Sequence, residues 1–304
     1  MEILQKSNSF KKLAFIIPTK DREESLKCLL ASIQGQEQRP QQIIIVDASE
    51  KPNKNEHINK EFDQLHIDFI KTYPPSLTKQ RNIGLKNIQS DIDLIGFLDD
   101  DIEFENGSIK EMMSFWMNSC DELGGTVFNV VTDKPSKLFW PKQIFFMGNK
   151  KPGIMLRSGY NTKICPASKD FFTQWLLGGV TIWKKEVVDK FKFDEWFKGY
   201  GLFEDLEYSY RVGKHFKLAV VSNARVRHKY LGIDRKDNFQ FGKMEIINRQ
   251  HIVKNNPELS MILFFWASFG QLLENLLRSL LHRKKGYILR AMGNLDGFLS
   301  ILVR

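Results

Sequence analysis

Three consecutive aspartates, Asp99, Asp100 and Asp101, directly follow the apolar segment 94–98. Neighbouring carboxylates repel one another, so keeping all three ionised needs a compensating cation. Mg²⁺ and Mn²⁺ prefer oxygen ligands and are commonly held by one or two carboxylates together with substrate phosphates. Because side chains alternate along an extended chain, Asp99 and Asp101 are predicted to face one way and Asp100 the other. The triplet predicts a site for a metal ion and a diphosphate, with a solvated acidic turn as the alternative.

A second acidic pair, Glu204 and Asp205, begins a segment with a helical pattern over 204–215. The positive end of a helix dipole keeps a carboxylate ionised at this position. An ionised carboxylate can take the proton of a hydroxyl group within hydrogen-bond reach. The pair is therefore a candidate general base, and its alternative role is to cap the helix.

Alternating strands and helices are predicted to position these groups. The apolar runs at 13–17, 43–46, 67–70 and 94–98 predict strands, and the first two are continuous enough to be buried on both faces. Helices are predicted between them, one over 76–88 and one that starts at a capping box, Asp21-x-x-Glu24, and places Leu26, Leu29, Leu30 and Ile33 on one face. This alternation predicts an α/β fold with a mostly parallel central sheet.

Ligands of such sheets bind beyond the carboxyl ends of the strands. The polar residues that follow the predicted strands are Thr19, Asp21, Arg22, Asp47, Ser49 and the three aspartates. The first strand is not followed by Gly-x-Gly-x-x-Gly, and the chain has no Gly-Lys-Ser/Thr loop. Dinucleotide-fingerprint and P-loop chemistry therefore lose support.

The middle of the chain is less regular. A polar loop is predicted over 51–60, a strand over 125–131 and a long loop region over 132–169. Regular structure is predicted to return at 175–183, followed by a strand at 218–221 and a helix over 238–253.

Composition limits the function classes. The chain has 304 residues, of which 42% are apolar and 27% charged, and this is typical of a folded globular protein. Three widely spaced cysteines form no zinc pattern or disulfide framework, which indicates a reducing compartment. The net charge of +9 indicates an anionic partner, which nucleic acid, a membrane surface or nucleotide phosphates would all satisfy.

The last part of the chain is apolar and basic. Residues 259–281 are strongly apolar but are interrupted by Gln271, Glu274, Asn275 and Arg278, so they are not expected to span a membrane. The basic cluster 282–285 and a further apolar stretch follow. Such helices suit an anionic membrane interface, or equally the core or an oligomer contact. Residues 1–12 lack the apolar core of a signal peptide.

Six motifs of the chain, in order, resemble those of glycosyltransferase family 2, the inverting enzymes of the GT-A fold, of the bacterial surface-glycan type. They are Phe15-Ile-Ile-Pro-Thr-Lys-Asp-Arg22, Ile45-Val-Asp-Ala-Ser49, Leu77-Thr-Lys-Gln-Arg-Asn-Ile-Gly-Leu85, Phe97-Leu-Asp-Asp-Asp-Ile102, Trp175-Leu-Leu-Gly-Gly179 and Phe203-Glu-Asp-Leu-Glu207. Each motif alone is weak, and their common order over about residues 13–230 makes the resemblance specific.

The resemblance implies a role for each matching residue. Asp101 becomes the principal metal ligand, with Asp99 beside it, and His228 completes the metal site unless it is merely structural. Asp205 becomes the base, with Glu204 as its neighbour. The donor nucleotide is expected at Pro18, Thr19, Asp21, Arg22, Asp47, Ser49, Arg81, Asp99 and Asp100, and the acceptor at Trp175, Gly178 and Gly179.

The implied function is inverting, metal-dependent transfer of a sugar from a nucleotide-diphosphate sugar to a hydroxyl of a glycan or lipid-linked acceptor. Mn²⁺ or Mg²⁺ is the expected metal, and the product a cell-surface polysaccharide or lipopolysaccharide. Ala48 stands where the family has a second acidic residue, which leaves UDP, dTDP and GDP open. A hexose or deoxyhexose is the expected sugar.

The resemblance also implies an organisation. A GT-A catalytic domain is expected over 1–255, with a nucleotide-sugar half at about 1–102 and an acceptor half at about 103–255, followed by an amphipathic helical tail at 256–304. The tail is expected to bind an anionic membrane peripherally or to form a homodimer, and the location is the cytoplasm or the inner face of the cell membrane. Two other classes compete: a non-catalytic nucleotide-sugar-binding or scaffold protein of the same fold, and a nucleic-acid-binding module, which the acidic cleft disfavours.

Overall fold

The computed structural model describes residues 11–50, 55–133, 140–229, 237–283 and 285–303. Within them, nine strands form one sheet in the order β3-β2-β1-β4-β8-β6-β9-β5, and β7 pairs with β9. The strands are β1 (Leu13–Thr19), β2 (Gln42–Asp47), β3 (Ile67–Lys71), β4 (Leu94–Leu98), β5 (Ile102–Phe104), β6 (Leu123–Val130), β7 (Phe171–Thr173), β8 (Val180–Lys184) and β9 (Lys217–His228). The helices are α1 (Glu23–Gln34), α2 (Asn55–Glu61), α3 (Leu77–Leu85), α4 (Ser108–Met117), α5 (Trp140–Ile144), α6 (Lys185–Lys190), α7 (Glu204–Gly213), α8 (Asn238–Lys254), α9 (Met261–His282) and α10 (Lys285–Leu302).

The predicted parallel α/β arrangement is confirmed in the first half of the chain. β1 pairs in parallel with β2 and β4, and β2 with β3. Every residue of β1, β2 and β4 is buried, because helices cover both faces of the sheet. Leu26, Leu29, Leu30 and Ile33 form the buried face of α1 as predicted. The carboxyl ends of these strands therefore meet at one edge of the sheet.

The predicted capping box before α1 is wrong. Asp21 has a left-handed backbone (φ 54°), and Arg22 is the N-cap residue, without a side-chain capping bond. The left-handed residue turns the chain sharply after β1, which brings Arg22 over the end of the sheet.

Antiparallel pairs extend the sheet in the second half. β8 lies between β4 and β6 and is antiparallel to both, while β6 runs parallel to β9. The sequence indicated neither β5 nor β7, since three residues are too few to leave a pattern, and β9 is longer than the predicted strand at 218–221. β5 pairs with the end of β9, and that pairing is decisive for the site.

Two predicted loops contain helices. α2 falls within the polar stretch 51–60, of which 51–54 lie outside the described residues. α5 falls within 132–169, of which 134–139 lie outside them. Both helices are too short for apolar periodicity to reveal them.

The tail helices pack against the body of the protein. Gly242 of α8 and Gly293 and Gly297 of α10 leave no room for a Cβ atom at the contact, so the two helices approach closely. Asn294 is buried between them and donates to the carbonyl of Gly242 (2.8 Å). The domain boundary at 255 remains a prediction, and this contact crosses it. None of the described helices is both long and apolar enough to cross a membrane.

Candidate active site

The floor of the site is the edge where β1, β2 and β4 end. Gln80 of α3 ties two of these ends together, because its amide donates to the carbonyls of Thr19 (3.1 Å) and Val46 (2.7 Å). The hydroxyl of Thr19 donates to Asp100 (2.7 Å), which follows β4. Pro18, within β1, lies opposite Val46 in the register.

Asp100 points into the protein, opposite to its two neighbours. It is 5% exposed and also accepts a bond from Arg22 (3.0 Å). Burial raises the pKa of Asp100 to about 6, although Thr19 and Arg22 oppose the shift. Asp100 therefore links the turn after β1 to the end of β4. Its inward direction agrees with the predicted alternation of the three side chains.

Asp99, Asp101 and His228 converge on one point. Each offers a ligand atom, and these atoms lie within 4.8 Å of one another. The antiparallel pairing of β5 with β9 sets Ile102 opposite His228, which brings the imidazole to 3.2 Å from Asp101. No spacing in the sequence reveals this contact, because it depends on a three-residue strand.

The carboxylate of Asp101 and the imidazole of His228 shift each other's pKa. Burial alone would lower the pKa of His228, but the hydrogen bond and charge of Asp101, with the charge of Asp99, raise it. Burial opposes ionisation of Asp101 as well, yet His228 and Arg22 hold its pKa below the usual value. Two carboxylates and an imidazole are a donor set that fits a divalent metal of the Mn²⁺ kind.

Gly178 and Gly179 join the two acidic motifs. The amide of Asp99 donates to the carbonyl of Gly179 (2.9 Å), and a Cβ atom on Gly179 would overlap the Asp99 carboxylate. The amide of Gly178 donates to Asp205 (3.0 Å), and a Cβ there would lie 2.5 Å from the Asp205 Cβ. Glycine is required at both positions because backbone and carboxylates are in direct contact.

Asp205 is accessible, whereas Glu204 is buried. Asp205 is half-buried at the N-terminus of α7, where one oxygen accepts from the amide of Leu206 (2.8 Å). The preceding residue, Phe203, has a left-handed backbone (φ 70°) and turns the chain into the helix. Both carboxylate oxygens of Asp205 accept hydrogen bonds from backbone amides, one from Leu206 and one from Gly178.

Arg81 is buried (1% exposed) and provides a positive charge beside Glu204 and Asp99. Its guanidinium pairs with Glu204 and lies 3.3 Å from Asp99. It also lies 5.1 Å from the ring centre of Phe193 and 5.8 Å from that of Phe97. Burial raises the pKa of Glu204 to about 8, and Arg81 opposes this rise. Removing one partner of such a buried pair typically costs about 3–5 kcal/mol, so the pair anchors α3 to α7.

The end of β2 forms a separate polar cluster. Asp47 is buried and accepts from the amide of Ser49 (2.8 Å), while Lys71 lies 3.3 Å from its other oxygen. The hydroxyl of Ser49 accepts from the amide of Asp21 (2.7 Å). Lys71 is the last residue of β3. The rule that polar residues at strand ends line the site therefore predicts Lys71 as well, although none of the sequence motifs contains it.

Trp175, which the sequence predicts as an acceptor residue, is buried in the protein. It is 7% exposed, and its indole N–H donates to the carbonyl of Thr162 (3.0 Å), so the ring is part of the core. Gly178 and Gly179 do lie at the site, between Asp99 and Asp205. Exposed aromatic residues occur elsewhere in this region, at Trp196 and Tyr200.

The described residues form a nine-stranded α/β sheet of the GT-A fold, with an acidic triplet after β4 and an acidic pair at the start of α7. The chain belongs to glycosyltransferase family 2, whose family model, described as "Glycosyl transferase family 2", matches residues 14–174. The predicted family and fold class are thereby confirmed. No curated protein matches the chain.

Solved structures share the fold at low sequence identity. The crystal structure of S. aureus TarS 1–349 is 15% identical, with a TM-score of 0.53 over 96% of this chain and 92% of that one. A structure of GalNAc-T7 with UDP, GalNAc and Mn²⁺ is 14% identical, with a TM-score of 0.57. The match covers 90% of this chain and 58% of the GalNAc-T7 chain. The match to a longer TarS structure spans only 41% of that protein.

Proposed function

We propose that the chain is an inverting, metal-dependent glycosyltransferase. It moves a hexose or deoxyhexose from a nucleoside-diphosphate sugar to a hydroxyl of a glycan or lipid-linked acceptor, in the synthesis of a cell-surface polysaccharide or lipopolysaccharide. The observation that carries the proposal is the pair of glycines that sets Asp205 beside the cluster of Asp99, Asp101 and His228. The UDP and Mn²⁺ of the GalNAc-T7 structure agree with this donor chemistry.

The donor side consists of groups that hold a nucleotide and its diphosphate. Asp47 and Ser49, which are hydrogen-bonded to each other at the end of β2, would recognise the nucleobase. Arg22 is half-exposed beside Asp100 and Asp101, so its guanidinium can contact a phosphate oxygen. A divalent ion held by Asp99, Asp101 and His228 would supply charge neutralisation for the leaving diphosphate.

The acceptor side consists of Asp205. Its carboxylate takes the proton of the acceptor hydroxyl as that oxygen attacks the anomeric carbon. The new carbon–oxygen bond forms while the bond to the diphosphate breaks, and the electron pair leaves with the diphosphate. Attack opposite the leaving group inverts the anomeric centre, which requires the base and the diphosphate to lie on opposite sides of the sugar.

A donor screen tests the function. UDP-, dTDP- and GDP-sugars are added with Mn²⁺ or Mg²⁺, and both the melting temperature and the released nucleoside diphosphate are measured. We expect one nucleotide class to raise the melting temperature only with metal present, since a ligand stabilises the state that binds it. The same class should release nucleoside diphosphate. Stabilisation without release would identify a binding or scaffold protein, and no response to any donor would refute the proposal.

We further propose that the tail holds the enzyme on the inner face of the cell membrane. α9 and α10 expose apolar side chains that are spaced three or four residues apart, except for an interval of eight between Phe269 and Leu277. They are Ile262, Trp266, Phe269, Leu277 and Leu280 on α9 and Ile288, Met292, Leu295, Leu299 and Leu302 on α10. Residues 259–304 contain six Lys or Arg and two acidic residues. Both acidic residues are paired, Glu274 with Lys142 and Asp296 with Lys243. An apolar face with net positive charge fits an anionic lipid surface.

The turn between α9 and α10 allows a test in the full-length chain, since truncation would strip α10 from α8. Leu280 and Leu281 are 76% and 77% exposed, and Arg283 and Lys285 are exposed beside them. Replacing both leucines by serine is expected to lower flotation with phosphatidylglycerol vesicles about tenfold, because apolar area is lost from the lipid contact. Phe172→Ser, at an exposed position on β7, is the matched control. Equal flotation of the double variant and wild type would contradict the proposal. So would a dimer, detected by light scattering, that covers the exposed apolar side chains of α9 and α10.

A further inference from the structure

Trp196 differs from the other tryptophans whose side chains the structure describes in the catalytic body. Trp116, Trp175 and Trp183 are buried, and each donates its indole N–H to an oxygen atom of the protein. Trp196 is 38% exposed, and its indole N–H has no hydrogen-bond partner within the described part of the chain. An exposed indole ring with an unused donor offers an apolar face and a hydrogen-bond donor to a ligand.

The ring is held in one orientation. Asp194 accepts from the backbone amide of Trp196 with one carboxylate oxygen and pairs with His251 through the other, both at 2.9 Å. The imidazole of His251 lies parallel to the indole, with 3.8 Å between ring centres and 2° between planes. Phe197 packs edge-on at 5.2 Å. One face of the indole is therefore covered and fixed, and the exposed area is left for a ligand.

The loop that carries Trp196 is attached to the candidate active site at both of its ends. It runs from the end of α6 to the start of α7, where Glu204 and Asp205 lie. At one end Phe193 packs against the guanidinium of Arg81. At the other, the carbonyl of Gly201 accepts from the amide of Glu204 (2.8 Å). The loop is therefore fixed to the same groups that position the base.

We propose that Trp196 is the stacking surface for a pyranose ring of the acceptor, a subsite that rests on the glycosyltransferase function proposed above. The C–H face of a pyranose is apolar and matches the indole, while the free N–H can donate to a sugar hydroxyl. Asp194 and Glu195 directly precede Trp196 in the loop, and their negative charges favour a neutral sugar over a phosphate. The acceptor is therefore a glycan that contributes at least one intact sugar ring at this point.

Binding of oligosaccharides tests the subsite without requiring transfer. Cellotetraose and chitotetraose are the probes, and saturation-transfer NMR on the full chain measures the contact. We expect the axial ring protons of at least one probe to receive saturation, and Trp196→Ala to weaken its apparent affinity about tenfold. Trp196→Phe keeps an aromatic face and should retain most of the binding. Trp266→Ala, which removes an exposed tryptophan of α9, is the matched control and should bind as wild type does.

The outcomes separate the subsite from the enzyme function. Stabilisation of the Trp196→Ala protein by a donor with Mn²⁺ shows that the variant is folded and that the donor half is intact. Binding of neither probe by wild-type protein, or unchanged binding by Trp196→Ala, would overturn the subsite even if the protein releases nucleoside diphosphate. Loss of probe binding in both alanine variants would show that the contact is not specific to Trp196. Absence of any donor response would count against the enzyme function. The NMR result would still decide whether Trp196 binds a sugar ring.

Discussion

Asp205→Asn is expected to lower the rate of sugar transfer about 10³-fold, since a positioned general base contributes roughly 10²–10⁴ to a rate. The amide cannot take the proton of the acceptor hydroxyl. It also replaces one of the two oxygens that accept from the amides of Leu206 and Gly178, so one of these hydrogen bonds is lost. That loss should reduce the free energy of unfolding by about 1 kcal/mol. The measurement is initial rate at saturating donor, together with a urea melt.

The control for this variant is Asp189→Asn, on the exposed end of α6. It makes the same chemical change outside the site and should transfer sugar at the wild-type rate. Donor-induced stabilisation should survive in Asp205→Asn, because the hydrogen bonds described for its carboxylate come from the backbone amides of Leu206 and Gly178 and not from the donor residues. A rate within about threefold of wild type would remove Asp205 from the mechanism.

Asp101→Asn is expected to weaken Mn²⁺ binding about 10²-fold and to abolish metal-dependent transfer. The substitution removes a charged ligand and also the partner that lies 3.2 Å from both His228 and Arg22. Loss even of a residue that only orients a ligand typically costs 10–100-fold in metal affinity, so a direct ligand should reach at least the upper value. Electron paramagnetic resonance of free Mn²⁺ measures the affinity without a donor or an acceptor.

Asp100→Asn is the informative comparison, because it makes the same change one residue away. Asp100 faces Thr19 and Arg22 and lies outside the cluster of ligand atoms. Its replacement should therefore lower Mn²⁺ affinity by no more than about tenfold, the lower end of the range for a residue that only orients a ligand, and clearly less than Asp101→Asn does. Equal losses in both variants would mean that the ion is bound by the triplet as a whole. No loss in Asp101→Asn would refute the assigned cluster.

The strands that form the floor of the site could be predicted because they are buried on both faces. Continuous apolar runs at β1, β2 and β4 are visible in any window of the sequence, and each ends at polar residues. β5 escaped detection because Ile102–Phe104 is too short, although its pairing with β9 brings His228 to Asp101. Contacts between distant segments leave no local pattern, so the metal cluster could be named only through the family resemblance.

The aromatic residues show the limit of sequence reasoning most clearly. Trp175 and Trp196 have the same chemistry and lie in neighbouring segments, yet one is in the core and the other is on the surface. Which ring is covered depends on the element that packs over it. Thr162 accepts the indole N–H of Trp175, while His251 covers only one face of Trp196.

The fold class, the family and the acidic candidates for the chemistry could be predicted from the sequence, because they follow from local periodicity and from motif order. The tertiary structure alone decided which of these residues meet. It turned Asp100 inward, buried Glu204 against Arg81 and left Asp205 half-buried and Trp196 exposed. The reason is physical: exposure and contact are set by packing between segments far apart in the chain, and packing is a property of the folded whole.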